Sequence, residues 1–490
     1  MRSLQTLLNN KLTLPLVHGS LSVTISPSDS SMNIDYNIKP VLDPGFIPAV
    51  VWNRAYQAKV AETDNSKEIK IALSRKDGFV AVWSGAVLPH EGENVELNRK
   101  YVERLVKFLL WQKGGSRIQV QGAPEIAGML AEIYSPHGER AFDHDFIGSK
   151  IYGEPIHVEA VDAVPEPYEG AVALGRNLEG NRIGFDLGGS DRKAAALVNG
   201  EVVFSEEIEW DPYFQKDPQY HLEGIRDTLK RAAAHLPSVD AIGGSAAGVY
   251  VNNEVRAASL FRGVSEEDFD KHVRKLFFQL KEEWGGIPFE VVNDGEVTAL
   301  AGSMSMNANS VLGVSMGTSE AVGYVDPNGH IKPWLNELAF APVDYRDEAP
   351  IDEWSCDHGC GVQYFSQQGI ARLAPIAGFE VSDLPFAQQL IKVQEAMKES
   401  DERARKIYET VGVYFGYTIA HYADFYEIEN LLILGRVTSG RGGEIILEEA
   451  RKVLDAEFPE LSAKLKMSTP DEKMKRHGQA VAAASLPAIG

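Results

Sequence analysis

Apolar positions along the first third of the chain recur at strand and helix spacing. Short apolar runs predict strands at residues 69–73, 80–87 and 117–121. Between the last two runs, apolar side chains recur at helical spacing over residues 97–111, which predicts an amphipathic helix. Residues 164–170 are rich in Pro, Glu and Gly and predict a domain boundary.

Beyond this boundary the pattern predicts strands that alternate with helices. Three apolar runs predict strands at residues 182–187, 194–198 and 201–204. Asn199-Gly200 lies between the last two and is a strong signal for a hairpin turn. A helix is expected at 221–235, where one face is apolar. Strands and helices that alternate in this way indicate an α/β fold.

Composition narrows the class of protein. A length of 490 residues predicts several domains, and 44% hydrophobic residues suffice for large cores. A net charge of −22 disfavours partners that are themselves anionic, so nucleic acid and membrane surfaces are not expected. Two cysteines fit a reducing compartment, and no run reaches the ~18–20 apolar residues of a membrane span. We therefore expect a cytoplasmic enzyme.

Two loops that follow predicted strands carry carboxylates. Asp186 begins the first, Asp-Leu-Gly-Gly-Ser, in which Gly188, Gly189 and Ser190 allow close approach to phosphate and Asp186 can hold magnesium. The alternative is ordinary turn chemistry. In the second loop, Asp294 lies where a strand enters a helix, so it can accept a proton from a hydroxyl that attacks phosphorus. The alternative there is a helix N-cap.

Two further glycine-containing turns follow apolar strands later in the chain. Gly317, Thr318 and Ser319 form a predicted hairpin whose amides and hydroxyls can grip phosphates, although a plain hairpin has the same pattern. Gly435 and Arg436 begin a glycine-rich turn before a helix, which leaves room for a flat base and places helix amides near phosphate.

The order of these four loops resembles the actin, hexokinase and Hsp70 superfamily, and within it the ROK sugar kinases. Residues 336–343 (Asn-Glu-Leu-Ala-Phe-Ala-Pro-Val) are similar to the ROK glutamate signature. Residues 360–366 (Cys-Gly-Val-Gln-Tyr-Phe-Ser) are similar to the signature that follows it. The resemblance covers about residues 181–490.

This resemblance implies an α/β fold of two actin-like, ribonuclease H-like lobes preceded by an extra α+β domain. It implies a phosphotransferase that uses ATP and Mg²⁺ to phosphorylate a sugar hydroxyl, with Asp294 as the base and Asn293 and Glu337 as sugar contacts. The residues implied to bind the nucleotide are Asp186, Gly188, Gly189, Ser190, Gly317, Thr318, Gly435 and Arg436, with Asp186 also at the metal. A homodimer is also expected.

Several positions depart from the family pattern. Phe340 replaces the zinc-binding histidine, and only Cys356, His358 and Cys360 remain as zinc candidates, so a metal-free loop is expected. Val362 replaces a second sugar-binding glutamate, which leaves the sugar undetermined. The Gly-Thr-Ser hairpin resembles the FGGY carbohydrate kinases instead, and Glu320 next to it would repel phosphate.

The predicted domains are residues 1–165, a first kinase lobe of 181–290 plus 476–490, and a second lobe of 291–475. The N-terminal domain is interpreted as a degenerate copy of the first half-domain, or as an oligomerisation or lid module. A non-catalytic nucleotide- or sugar-binding sensor is the main alternative function. A DNA-binding regulator is disfavoured by the missing basic three-helix unit. A serine hydrolase is disfavoured because a strand follows the Gly-x-Ser-x-Gly at 313–317.

Overall fold

The structure is a computed structural model, which describes residues 32, 34–170, 173–469 and 478–489. The remaining parts of the predicted N-terminal domain (residues 1–31 and 33) and of the predicted first lobe (476, 477 and 490) lie outside the described residues. The described chain forms three main sheets, each covered by helices. The α-helices of six residues or more are α1 (Ala49–Ala61), α2 (Asn94–Lys113), α3 (Pro124–Ile133), α4 (Pro218–Ala233), α5 (Leu276–Glu283), α6 (Asp294–Met306), α7 (Gln367–Ile376), α8 (Phe386–Lys398), α9 (Glu402–Ala423), α10 (Arg441–Glu457), α11 (Pro459–Lys464) and α12 (Gln479–Ala484), and a π-helix spans His144–Tyr152.

The first sheet belongs to the N-terminal region, which we define as residues 34–165. Its strands are β1 (Lys67–Ser74), β2 (Val80–Val87), β3 (Arg117–Gln121) and β4 (His157–Val161), in the order β2-β1-β3-β4. The predicted strands and the predicted helix, α2, are confirmed. Part of the Pro- and Glu-rich segment is ordered against this sheet, since Tyr168 forms a bridge with Val80.

The second sheet has the order β11-β8-β5-β6-β7. Its strands are β5 (Asn181–Leu187), β6 (Asp191–Val198), β7 (Glu201–Glu209), β8 (Ala241–Ala246) and β11 (Phe289–Asn293), and a separate hairpin of β9 (Val249–Val251) and β10 (Glu254–Ala257) leaves it. The predicted hairpin at Asn199-Gly200 joins β6 and β7. Strands β5, β8 and β11 are mutually parallel, so their carboxyl ends meet at one edge of the sheet.

The third sheet has the order β13-β12-β14-β15. Its strands are β12 (Val311–Met316), β13 (Glu320–Val325), β14 (Asn430–Leu434) and β15 (Lys466–Ser468). Because β12 continues into the antiparallel strand β13, the Gly-x-Ser-x-Gly segment does not form a strand-to-helix elbow. Helix α6 begins at the edge of the second sheet and packs on β12 and β13, so it joins the two sheets.

Glycines in the second sheet allow the terminal helix to pack directly on the strands. A Cβ on Gly184 would lie 1.8 Å from the Ala480 carbonyl oxygen, and one on Gly243 would lie 1.7 Å from that of Ala483. Helix α12 therefore approaches β5 and β8 at a distance that no larger residue permits. The terminal helix therefore packs on the second sheet.

The N-terminal region and the third sheet share one hydrophobic core. Residues from α2, such as Phe108 and Trp111, belong to the same buried cluster as Val314 of β12 and Tyr422 of α9. Strand β3 is antiparallel to β1, whereas the strand after the helix in the second sheet, β8, is parallel to β5. This difference in pairing argues against the N-terminal region being a copy of the first half-domain.

The mixed α/β class is confirmed, with an α+β region ahead of the second and third sheets. Among the residues that the structure describes, no helix is both long and apolar enough to cross a membrane.

Candidate active site

The carboxyl edge of the second sheet brings together side chains from three separate segments. Asp186 near the end of β5 is paired in register with Ser245 of β8, and Asn293 ends β11. Parallel strands dictate this meeting, since their carboxyl ends lie side by side and ligand sites of α/β folds form there. Asp186, Asn293 and Asp294, which the sequence placed in two distant loops, therefore occupy one edge.

Asp294 is the first residue of α6 and is half-buried. Asn293 is the N-cap, and its Oδ1 accepts a hydrogen bond from the Gly295 N–H at 2.7 Å. The capping role considered for this loop is thus performed by Asn293. Desolvation raises the pKa of Asp294, while the backbone N–H groups at the helix start oppose the rise. A carboxylate with a raised pKa at a sheet edge is suited to accept a proton.

Glu337 lies near enough to Asp294 for the charge of Asp294 to act on it. Desolvation and the nearby charge of Asp294 raise the pKa of Glu337 to about 7. Desolvation, and after it the charge of Asp294, raises the pKa of Asp186 and of Tyr250, which follows the loop after β8. The charge of Asp294 therefore acts on two other carboxyl groups, Asp186 and Glu337.

Asp186 is buried and has one oxygen already engaged. Its Oδ1 accepts a hydrogen bond from Ser245 Oγ at 2.6 Å, and its Oδ2 lies 3.9 Å from Lys193 Nζ. Desolvation, opposed by the Ser245 hydrogen bond, raises the pKa of Asp186 to about 6. In the turn that follows, a Cβ on Gly189 would lie 1.9 Å from the Tyr213 hydroxyl, so the turn packs tightly against Tyr213. Ser190, the next residue of this turn, is exposed.

The two later turns lie next to each other at the edge of the third sheet. Strands β12 and β14 are parallel neighbours, and Ser315 is in register with Leu434. Gly435 has a φ of 101°, and a Cβ there would lie 2.4 Å from the Met316 carbonyl oxygen, so only glycine fits. Thr318 and Arg436 are exposed, and Gly317 beside them is half-buried. These turns form a second glycine-lined edge.

Glu320 does not face the hairpin, contrary to the expectation that it would lie beside phosphates. It begins β13, is buried, and accepts a hydrogen bond on Oε1 from the Tyr422 hydroxyl at 3.1 Å. A Cβ on Gly361 would lie 2.2 Å from its Oε2, which shows how closely the carboxyl group is enclosed. Burial raises the pKa of Glu320 to about 8, so at neutral pH it is a neutral acid inside the core.

The burial of Glu320 predicts a pH-dependent gain for Glu320→Gln. Burial raises the pKa of Glu320 to about 8 in the folded state, whereas an unfolded glutamate titrates at about 4.3. The stability that the protonated acid contributes is therefore complete below about pH 4.3, and it is lost as pH rises from there through about 8. The Gln variant does not titrate, so its stability relative to the native chain should rise by about 1–4 kcal/mol from pH 5 to pH 9. Thermal unfolding at both pH values measures this. The exposed Glu395→Gln is the matched control, and a pH-independent difference for Glu320→Gln would contradict the assignment.

The zinc candidates do not converge. Cys356 is exposed, Cys360 is buried, and His358 Nδ1 lies 2.9 Å from the Ala349 carbonyl oxygen. No group of three or more His, Cys, Asp and Glu side chains in the described ranges is arranged to hold a metal ion.

Asp357, in the same loop, instead joins a buried ionic cluster with the N-terminal region. Its carboxylate lies 2.6 Å from Lys107 Nζ, 3.0 Å from Arg104 Nη1 and 2.6 Å from Arg140 Nη1. Burial opposes ionisation, but the charges of Arg104 and Lys107 hold the pKa of Asp357 at about 2. Glu103 and Asp143 complete the cluster, which ties this loop to α2.

A second network beneath Glu337 was not predicted from the sequence. Asn336 donates from Nδ2 to Glu296 Oε1, and its Oδ1 accepts a hydrogen bond from the Tyr426 hydroxyl at 2.7 Å. Glu296 Oε2 accepts from the Tyr324 N–H at 3.1 Å. All four side chains are largely removed from water, so the residue that precedes Glu337 is fixed by polar contacts. The only sequence signal was the glutamate two positions after Asp294.

Val362 and Phe340 form an apolar wall next to these carboxylates. Val362 is buried and packs with Ala339 and Cys360, and Phe340 packs against that group. An apolar side chain therefore occupies the position at which the family resemblance implies a second sugar-binding glutamate.

Comparison with known proteins agrees with this geometry. The chain is 27% identical over 294 residues to a glucokinase of Halalkalibacterium halodurans, a match that spans 56% of this chain and 85% of the relative. A solved ROK family transcriptional regulator, described as a homologue of the E. coli MLC protein, superposes with a TM-score of 0.50 at 18% identity. That superposition covers 63% of this chain and 79% of the regulator. The chain has the ROK fold.

A solved ROK hexokinase from Thermus thermophilus is also similar, with a TM-score of 0.49, 16% identity, and coverage of 62% of this chain and 96% of the hexokinase. No family model matches the sequence. The resemblance to ROK proteins stated from the motifs is thus confirmed. Because the sequence relative is a glucokinase and the superposed structure is a transcriptional regulator, these similarities by themselves do not distinguish the two functions.

Proposed function

We propose that the protein is an ATP-dependent carbohydrate kinase that transfers a phosphoryl group to a sugar hydroxyl, with Asp294 as general base. The observation that carries the proposal is the position of Asp294 directly after β11 at the carboxyl edge of the second sheet, where its charge acts on both Asp186 and Glu337. The similarity to a glucokinase over 294 residues supports a sugar as acceptor.

The chemistry follows from the environment of Asp294. Desolvation raises the pKa of Asp294 above its ordinary value, so its carboxylate is a stronger base than that of an exposed aspartate. Asp294 takes the proton of the acceptor hydroxyl as that oxygen attacks the γ-phosphorus of ATP, and the bond from this phosphorus to the bridging oxygen breaks so that ADP leaves. Glu337, with its pKa near 7, donates or accepts a hydrogen bond to another hydroxyl and holds the acceptor in line.

The glycine-lined edges of both sheets fit a nucleotide. ATP with Mg²⁺ supplies the phosphoryl group and the charge that neutralises the developing oxyanion. Asp186 would hold the metal with Oδ2, the oxygen that Ser245 leaves free. The close fit of Gly435 against Met316 brings the two turns of the third sheet together, and we assign this edge to the adenosine. The other residues assigned to the phosphates and adenosine are Gly188, Gly189, Ser190, Gly317, Thr318 and Arg436.

Only part of the Asn293 amide is available to form hydrogen bonds with a sugar hydroxyl. Its Oδ1 caps α6, and its Nδ2 donates to the Gly248 carbonyl oxygen at 2.8 Å. One N–H and one lone pair remain for a sugar hydroxyl. We assign Asn293 two roles: it contacts a sugar hydroxyl, and its hydrogen bond to Gly248 holds the loop after β8 in position.

A non-catalytic sensor of the same fold is the second candidate. It is favoured by the superposition on a transcriptional regulator and by Val362, which removes a hydrogen-bonding group from the acceptor side. An FGGY-like carbohydrate kinase is a variant of the first candidate and rests on the Gly317-Thr318-Ser319 hairpin. A cytoplasmic location and a homodimer stay predictions.

The experiment that tests the proposal is ADP release from Mg-ATP across hexoses, amino sugars, pentoses and polyols. The kinase account predicts turnover that depends on one class of sugar and disappears when magnesium is chelated. Sugar binding without ADP release across the whole panel would contradict the kinase account and favour the sensor.

A further inference from the structure

The end of helix α2 holds the turn that carries Glu337. The N–H groups of Leu335 and Asn336 both donate to the Gln112 carbonyl oxygen at 3.0 Å, and the Glu337 N–H donates to that of Trp111 at 3.0 Å. Carbonyl groups in the last turn of a helix lack partners within the helix, and here the N–H groups of the Glu337 turn are their partners. The position of Glu337 therefore depends on the N-terminal region.

The N-terminal region also contacts the β9–β10 hairpin, which follows the loop that binds Asn293. The wide helical turn His144–Tyr152 packs on the β9–β10 hairpin, and Val249 of that hairpin belongs to the N-terminal core. This hairpin begins beside the Gly248 carbonyl oxygen, which accepts from Asn293, and carries Tyr250, whose pKa the Asp294 charge raises. Residues 141–152 thus lie between the hairpin next to Asn293 and the turn of Glu337.

Residues 141–152 carry two aromatic rings that join a ring from the Glu337 turn. Phe340 stacks on the fully buried Trp111 with ring centroids 4.4 Å apart. Phe142 lies 5.6 Å from Phe340 and 5.3 Å from Phe146, and these three phenylalanines are half-buried. We call Phe142, Phe146 and Phe340 the aromatic platform.

Buried contacts of Asp143 hold the aromatic platform in place. Asp143, between its two N-terminal rings, accepts a hydrogen bond from Trp111 Nε1 at 2.9 Å and lies 3.6 Å from Lys107 Nζ. Both partners are fully buried, so the backbone that carries Phe142 has little freedom. A rigid, partly exposed group of rings beside hydrogen-bonding carboxylates is the composition of a small-molecule binding wall.

We propose that the aromatic platform is a wall of the acceptor site and determines which sugars bind. It would pack against the apolar C–H face of a pyranose ring while Glu337 and Asn293 bind hydroxyls at the ring edge. The N-terminal region then completes the acceptor site. This inference rests on the proposed function, because it assumes that the acceptor is a sugar bound beside Asp294.

Replacing Phe146 by Ala tests the inference. Loss of one ring contact should raise the KM for the acceptor about 3- to 10-fold, and should leave the KM for ATP within about twofold. Phe146→Leu keeps most of the apolar volume, so it disturbs folding less than Phe146→Ala does. It should show the same selective rise in the KM for the acceptor. Phe379→Ala is the matched control, since Phe379 is also half-buried but packs under Arg403.

The same variants are titrated with sugar by calorimetry, which reads acceptor binding without turnover. A selective loss of acceptor affinity in both Phe146 variants, absent from Phe379→Ala, supports the inference even if no sugar is phosphorylated. Unchanged acceptor affinity in Phe146→Leu and Phe146→Ala overturns it while leaving the kinase proposal intact. If the unsubstituted chain neither binds nor phosphorylates any sugar, the proposed function and this inference fail together.

Discussion

Replacing Asp294 by Asn should lower sugar-dependent ATP turnover by about 10²- to 10⁴-fold. The amide has the shape of the carboxyl group but cannot accept the hydroxyl proton at neutral pH. Asn293 supplies the N-cap of α6, so the helix should still form in the variant. Binding of ATP should change little, because the residues assigned to the nucleotide lie in other loops.

The pH dependence of turnover should identify the same group. Because desolvation raises the pKa of Asp294, turnover should fall with decreasing pH above the ordinary aspartate range. Asp240→Asn is the matched control: Asp240 immediately precedes β8, at the opposite end of the second sheet from Asp294, and its Oδ2 accepts from the Asn181 N–H. Its turnover should stay within about twofold of the native chain, and an equal loss in both variants would refute the role of Asp294.

Replacing Asp357 by Asn should destabilise the protein by about 3–5 kcal/mol. Asp357 contacts Lys107, Arg104 and Arg140, and these cations would stay buried after its charge is removed. Removing one partner of a buried ionic cluster costs far more than removing a surface ion pair. Urea unfolding followed by tryptophan fluorescence measures the loss, because Trp111 is fully buried near the cluster.

Asp347→Asn is the matched control for the buried cluster. Asp347 lies in the same part of the chain and is 3.0 Å from Lys100 Nζ, but its carboxylate is exposed. Its loss should cost less than about 1 kcal/mol. If the two variants unfold at the same urea concentration, the ionic cluster does not hold the N-terminal region to the loop of Cys356 and Cys360.

The sequence alone predicted the parts of this site that depend on local pattern. Asp186 and Asp294 each follow an apolar run, and parallel strands bring such residues to one edge without any further information. The hairpin after Met316 and the glycine turn at Gly435 were predictable for the same reason. Helix α2 was predicted from its apolar spacing.

The contacts between distant segments were beyond sequence reasoning. Asp357 contacts Arg104, which is 253 positions away in the sequence. From the sequence alone, a charged residue in a helix is expected to face solvent, because its distant partner is unknown. Glu320 was expected to face phosphate because it follows the hairpin, but as the first residue of β13 its side chain alternates toward the core. Likewise, nothing local to Trp111 shows that its carbonyl group binds the Glu337 turn.

The measurement that tests the central claim most directly is transfer of the labelled γ-phosphate from ATP to a sugar by the native chain and by Asp294→Asn. ATP affinity is measured in the same preparations. The account predicts labelled sugar phosphate from the native chain and at least a 100-fold loss in the variant at unchanged ATP affinity. Equal labelling of the sugar by both proteins would contradict Asp294 as the base, and label released only as inorganic phosphate would contradict a carbohydrate kinase.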